Sequence, residues 1–507
     1  MKDVSGITAR YSAAQGVASI IVASSLVRLA LAWLVGPGVD ESYMIGVARD
    51  LAWSYFDHPP IHIWLIHATA WAGGSEDIFI LRLPFIVLFA GTCWLMYRLT
   101  ALCFGERAGL WAVLGLNLAP AFTLSGASWL LPEGPLDFFL LASALCVARL
   151  VLVEPAPARP VLLWMAAGAL GGLAMLSKYF AAFYFLAVFV FLITVARQRR
   201  WLASPAPWLA VVLAVVMFAP VIIWNAQQDW QPMQFHMGRS VGSGSWKIHW
   251  FVQSVGGQML YLLPWMAVPM AFVLGRALIG GPKAPREWFF ALAAIGPVGF
   301  FTLDSLLNRG LPHWPMPGWL FVFPLLGAWA GRVDASRFKR WLRFNAATSA
   351  LALVAVLGLL SVQARFDVLG RAAPRLFAKG DPTLMLFDWK PLREKIMARG
   401  LTPQQTPLVV TLRWIQAGRV NYALGPDFKT ICLCVGARQF DYINDPADFA
   451  GKDALIIASE ELMAARLGDA AAHFAATEEL EPVVLERAGR PVERLRVVRA
   501  SGFRPGP

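Results

Sequence analysis

Residues 16–35 read GVASIIVASSLVRLALAWLV, and only Arg28 among them is charged. A helix rises about 1.5 Å per residue, so such a run crosses a hydrocarbon layer of roughly 30 Å, and the reading is a membrane span. It ends in Gly36-Pro37-Gly38-Val39-Asp40 without a small-x-small cleavage site, which points to a retained first span rather than a removable leader. Similar apolar windows recur near 79–101, 108–125, 135–153, 161–177, 179–196, 206–224, 258–279, 288–304, 314–331 and 344–362. With the first, they predict a polytopic α-helical membrane protein of about 11 to 13 spans.

Composition agrees. Of 507 residues, 58% are hydrophobic and only 15% are charged, too greasy a balance for an ordinary water-soluble enzyme. The first 362 positions hold 24 Lys and Arg with 15 Asp and Glu, whereas the last 145 hold 20 and 17, an ordinary charge density. The division expected is a membrane domain over 1–362, with a long external loop at 36–78, and a soluble domain over 363–507. In the tail, short apolar strands such as Pro407–Leu412 and Asp453–Ala458 alternate with helical runs such as Glu460–Leu467, which predicts a small α/β domain. It has no nucleotide-binding glycine pattern, so it reads as structural or acceptor-recognising. The net charge of +12 is scattered between apolar stretches rather than gathered on a face, which argues against nucleic acid. The five cysteines imply no disulfide scaffold, and the Cys432-x-Cys434 pair matches no zinc spacing.

Basic residues cluster in alternate loops, from Arg98 and Arg107 to Arg197, Arg199 and Arg200 and on to Arg337, Lys339, Arg340 and Arg343. Short loops rich in Lys and Arg stay cytoplasmic. With the N-terminus inside and an odd number of spans, loop 36–78 and the tail face outward, to the periplasm of a bacterium, and the expected location is the bacterial inner membrane. Arg28 lies within an apolar run at a cost of roughly 2.5–3.5 kcal/mol on insertion scales, so it should pair or face an aqueous cavity.

Ionisable residues at a membrane boundary are costly unless paired or used, and one cluster dominates the outer loop. Val39-Asp40-Glu41-Ser42-Tyr43 is followed by Tyr55-Phe56-Asp57-His58-Pro59-Pro60, three carboxylates and an imidazole in one short segment. A carboxylate at the mouth of a membrane cavity gains basicity by desolvation and suits activation of a hydroxyl. Asp40 is equally placed to cap a helix beginning at Ser42. The outer-loop tryptophans read as interfacial anchors before sugar-stacking platforms.

Those two segments, with Leu81-Arg82-Leu83-Pro84, resemble the first luminal loop of glycosyltransferase family 39, which has the GT-C fold and holds protein O-mannosyltransferases and bacterial lipid A aminoarabinose transferases. The resemblance extends through Pro132-Glu133-Gly134-Pro135-Leu136, Ser177-Lys178-Tyr179, Pro220–Asn225 with Trp230, Arg239, Gln258–Pro264 and Pro312-His313-Trp314, then Arg413 and Arg438-Gln439-Phe440-Asp441-Tyr442 in the tail. It implies a monosaccharide on a polyprenyl-phosphate donor, transferred with inversion to an envelope lipid, glycan or protein acceptor. Asp40 matches the family's catalytic acidic position and as general base would deprotonate or orient the acceptor, with Glu41 beside it orienting the loop. His58, Lys178 and Arg239 are the candidates for holding the donor phosphate; Lys178 reads otherwise as a snorkelling anchor and Arg239 as a solvated loop charge. Tyr43, Asp57, Glu133, Tyr179 and His313 are the candidates for lining the substrate cavity, with His313 alternatively a plain interfacial residue.

Two departures matter. Aminoarabinose transferases carry Lys-Pro-Pro where this chain has His58-Pro59-Pro60, which weakens the case for that sugar, and Glu133 stands where the family often has Asp. No cofactor is required on this reading, although Glu133 with Asp57 leaves room for a divalent ion. The rival reading is a transporter or flippase of lipid-linked saccharides, which would favour matching inverted halves; none is seen.

Overall fold

The computed structural model describes residues 12–124, 126–155, 157–238, 246–332, 336–377 and 380–506. Among the described residues, eight helices are long and apolar enough to cross a membrane: Ala13–Leu34, Ile78–Phe104, Glu133–Val151, Pro160–Ser177, Pro205–Gln227, Pro264–Lys283, Pro285–Asp304 and Leu342–Phe366. Three other apolar windows are broken. Window 108–125 becomes Glu106–Leu118 and Pro120–Leu124, because Ala119 turns extended ahead of a proline. Window 179–196 opens on a 3-10 turn at Tyr179–Ala181 before Ala182–Thr194, and window 314–331 divides into Met316–Leu320 and Phe323–Arg332. Thirteen helical residues reach only about 20 Å, short of a roughly 30 Å hydrocarbon layer, so these windows are built from shorter apolar helices joined end to end.

The chain divides into two compact units, residues 1–28 with 85–353 and residues 29–84 with 354–507. In the first, a Cβ on Gly168 or Gly172 would meet the main chain of Ala210 or Ala214. Helices Pro160–Ser177 and Pro205–Gln227 therefore touch backbone to backbone, as small residues permit where lipid competes for apolar side chains. Arg28 has a solution here too. Its Nη2 donates to Asn117 Oδ1 at 3.1 Å and Thr123 Oγ1 at 3.4 Å, and its guanidinium lies 4.4 Å from the Phe89 ring centre.

In the second unit a five-stranded sheet has the order β2-β1-β3-β5-β4, with β1 Leu408–Thr411, β2 Lys429–Cys432, β3 Ala454–Ser459, β4 Ala476–Arg487 and β5 Arg490–Ser501. The first three are parallel, and β4–β5 is a hairpin closed by Ala488 and Gly489, both at positive φ, which matches the twist of a two-residue turn. Alternation assigns the core: Val409, Leu455, Ile457 and Val497 pack with Val420 and Leu424 on one face, Leu408, Val410, Ile456 and Val498 with Met463 on the other. Cys432 and Cys434 are joined by a disulfide at the end of β2, a local brace across one residue.

The outer-loop helix Val39–Ala48 lies in this same unit against Trp414–Leu424. A Cβ on Gly418 would sit 2.9 Å from the Tyr43 main chain, and Gly46 faces the Asn421 side chain, so glycine allows the close approach. Arg49 then ties the helix end, donating to Asn421 O at 2.8 Å and chelating Glu76 through two nitrogens at 2.9 and 2.7 Å. Where the last membrane helix ends, Arg487 bridges Asp367 at 2.5 Å and Asp381 at 2.6 Å, and Gln363 reaches Asp381 at 2.8 Å.

Burial pushes the Asp381 carboxyl upward, but hydrogen bonds from Thr383, Arg487 and Gln363 outweigh it and hold the group below the usual carboxylate range. A depressed folded-state value gives stability that is present above the unfolded value of about 3.9 and is lost as pH falls through the folded one. The thermal midpoint of the native protein should therefore drop more steeply below about pH 4 than that of Asp381→Asn, measured in detergent across the same buffers; parallel curves would contradict the assignment.

Candidate active site

Helix Val39–Ala48 begins at Gly38, whose extended backbone (φ −66, ψ 171) is the N-cap, so Asp40 is not the cap and the helix starts three residues before Ser42. Glu41 supplies the capping carboxylate, accepting from the Gly38 N–H at 2.8 Å. Both acids fall in the first turn, where negative charge meets the positive end of the helix. From there they diverge.

Glu41 is 1% exposed and meets Arg82, also 1% exposed, at 2.9 and 2.5 Å through two guanidinium nitrogens. Arg82 also donates to the carbonyls of Ala32 at 3.2 Å, Val35 at 2.7 Å and Gly36 at 3.0 Å, acceptors that the end of the first helix leaves open. Asp40 is exposed, while every residue from Glu41 to Ala48 is buried. Neighbouring carboxylates in such different surroundings take different work: one is fixed as a structural anion, the other is presented.

Tyr43, one turn on, is fully buried; its hydroxyl donates to Asp57 Oδ2 at 2.5 Å and accepts from the Gln439 N–H at 3.0 Å. Burial first, and then the Asp57 charge, push this phenol well above its ordinary value, so it keeps its proton as donor. Asp57 Oδ1 accepts from Arg438 Nη1 at 2.9 Å. Tyr43 and Asp57, expected to line a cavity, thus form internal struts between the outer loop and the tail. His58 is half-buried, its ring edge-on to His62 at 5.5 Å. The sequence reading gave Arg438 and Gln439 no role; their only signal was the resemblance around 438–442.

In the first unit, Lys178 ends helix Pro160–Ser177 in extended conformation, and its ammonium meets Glu133 Oε1 at 2.5 Å and lies 4.8 Å from the Phe180 ring centre. Both partners are buried, and His313 lies near enough to act electrostatically on Glu133. Asp137, one turn after Glu133 on the same helix face, is 2% exposed. Sequence reasoning passed over it, although acids at i and i+4 in an apolar run are a signal. Tyr179 packs edge-on to Phe218 at 6.1 Å. Arg239 lies outside the described residues. Among the described residues, no three or more His, Cys, Asp or Glu side chains converge as a metal site.

Breaking a buried ion pair from one side strands a charge, at about 3–5 kcal/mol. Arg82→Met should lower the thermal midpoint sharply, whereas Asp40→Asn, on an exposed turn, should change stability by less than about 1 kcal/mol. Melting curves in detergent test the contrast; equal losses would show that the two acids are not differently employed.

Comparison with known proteins is consistent with this layout. The family model described as dolichyl-phosphate-mannose-protein mannosyltransferase matches residues 57–224, a stretch that holds Asp57, His58, Glu133, Lys178 and Tyr179 and begins after Asp40. No curated protein sequence matches the chain. The crystal structure of ArnT from Cupriavidus metallidurans bound to undecaprenyl phosphate shares the fold over 95% of this chain and 97% of that one, at 17% identity and a TM-score of 0.64. The apo form of the same protein covers 96% of this chain and 98% of its own, again at 17% identity and 0.64. The chain thus shares the GT-C fold of that transferase along nearly both whole chains, and within it residues 57–224 match the mannosyltransferase family model.

Proposed function

We propose that the protein moves a monosaccharide from a polyprenyl-phosphate donor to an envelope lipid, glycan or protein acceptor at the periplasmic face of the bacterial inner membrane. The observation that carries this reading is the exposed Asp40 beside the locked Glu41. As general base, Asp40 takes or orients the proton of the acceptor hydroxyl or phosphate while the sugar's bond to the lipid phosphate breaks. One base suffices for direct displacement, which inverts the anomeric centre and needs no second carboxylate as nucleophile. Glu41, held by Arg82, orients the helix. The donor class is supported by the undecaprenyl phosphate bound to the ArnT of like fold. The outward orientation is supported by the basic loops on alternate sides and by the Cys432–Cys434 disulfide, which suits an oxidising compartment.

Negative charge grows on the departing phosphate, and a preorganised cation stabilises it. We assign that work to Lys178. Of the three ammonium donors of Lys178, Glu133 takes one. Glu133 thereby aims the ammonium, and Tyr179 and His313 belong to the same membrane-side region.

Transfer from a synthetic polyprenyl-phosphate sugar tests the base. Asp40→Asn should lower turnover by about 10²–10⁴ with donor affinity kept. Native turnover in that variant, with sugar carried across vesicles, would favour the transporter reading. For the phosphate, Lys178→Met combined with Glu133→Gln removes the pair without stranding a charge, and it should raise donor KM; unchanged donor affinity would remove Lys178 from the site.

A further inference from the structure

Gly436-Ala437-Arg438-Gln439-Phe440 leaves β2 just after the Cys432–Cys434 bridge. Gly436 sits at φ +73, as glycine does without penalty, but two residues later Arg438 sits at φ +59. A side chain bearing Cβ rarely adopts that region, and such outliers persist where the surroundings over-determine them. Glycine would be the easier residue at both positions, so the guanidinium must be what the second requires.

Its contacts show the use. Beside the bond to Asp57, the guanidinium lies 3.6 Å from the Trp414 ring centre, and Trp414 packs edge-on to Tyr43 at 5.5 Å. Gln439, adjacent in sequence, donates its N–H to Tyr43 and accepts the Phe56 N–H at 2.7 Å. Two neighbouring tail residues therefore grip both segments of the loop after the first helix, the helix through Tyr43 and the turn through Phe56 and Asp57. Asp40 stands three residues before Tyr43 on that helix, so whatever fixes Tyr43 fixes the direction in which the Asp40 carboxylate is presented.

We propose that Arg438 is a positioning residue for sugar transfer: by clamping Asp57 against Tyr43 it sets the helix that carries Asp40, and the C-terminal sheet domain is in that sense part of the transfer machinery. The inference rests on the reading of Asp40 as base.

The test compares the full-length native chain with Arg438→Gly, which frees the backbone while removing the clamp, and Arg438→Lys, which keeps the charge. In Arg438→Gly, hydrogen exchange across Val39–Ala48 should quicken at least tenfold while exchange in strands β1 and β3 stays native. Turnover from a synthetic polyprenyl-phosphate sugar should fall at least tenfold while donor KM stays within twofold, and Arg438→Lys should recover part of it. Native exchange in that helix, native turnover, or a rise in KM alone would each overturn the proposal. A native chain that transfers no sugar would instead sink the functional reading, and the exchange comparison would still decide whether Arg438 holds the helix.

Discussion

Arg82 places five hydrogen bonds on one corner of the protein: two to Glu41, and three to carbonyls at the end of the first membrane helix. The planar fork of arginine suits this, because it meets a carboxylate through two nitrogens and still reaches neighbouring acceptors. Two helices end or begin here with groups that cannot be satisfied internally, and the site is almost dry. Ammonium on a lysine stem has three donors and no plane, so the same closure with lysine would leave acceptors open. The entry angle of helix Val39–Ala48 follows from this corner, and with it the placement of Asp40 in the first turn.

Confinement of Glu41 has a consequence for its neighbour. A buried carboxylate bound by a guanidinium and a backbone N–H is held in one orientation, away from solvent. Asp40 shares the first turn and the same favourable helix end but keeps an open face. The chain thus locks one of two adjacent carboxylates into its architecture and leaves the other at the surface. The membrane side follows the same economy in the other sense, since Lys178 and Glu133 neutralise each other where either alone would be costly.

Much of this was legible in the chain. Windows around 16–35, 79–101, 135–153 and 344–362 became helices because apolar length is nearly sufficient evidence in a membrane protein. Windows 108–125, 179–196 and 314–331 are helical but interrupted, and apolar content does not register a break at Ala119-Pro120 or the extended Lys178. Strands β1 and β3 announced themselves as short apolar runs, whereas β4, with its many charged residues and largely exposed first half, did not. Arg28 was recognised as needing partners, but Asn117 and Thr123 lie far along the chain, where no local pattern points. Asp40 was singled out as a candidate base, with helix capping as the alternative; the cap is Gly38 instead, and a glycine with an extended backbone offers no side chain to read. Arg438 and Trp414 were invisible as partners of the outer loop because only folding brings positions 43, 57, 414 and 438 together.

That last separation explains why a small sheet domain belongs beside the outer loop. Helix Val39–Ala48 has ten residues, too short to persist alone in water, where isolated helices below about 12–15 residues are marginal. Its order must come from tertiary packing, and within its unit the packing is supplied by Trp414–Leu424 through Gly418 and Asn421, by the Arg438–Asp57 clamp, and by Arg82. In the role proposed for it, Asp40 needs a rigid mount, because misplacement by about an ångström can lower rate by about a hundredfold. A lone outer loop next to lipid cannot provide that rigidity; a sheet with both faces covered can. The hydropathy change near residue 362 therefore marks where the chain leaves the apolar regime, not where the parts that hold Asp40 in place come to an end.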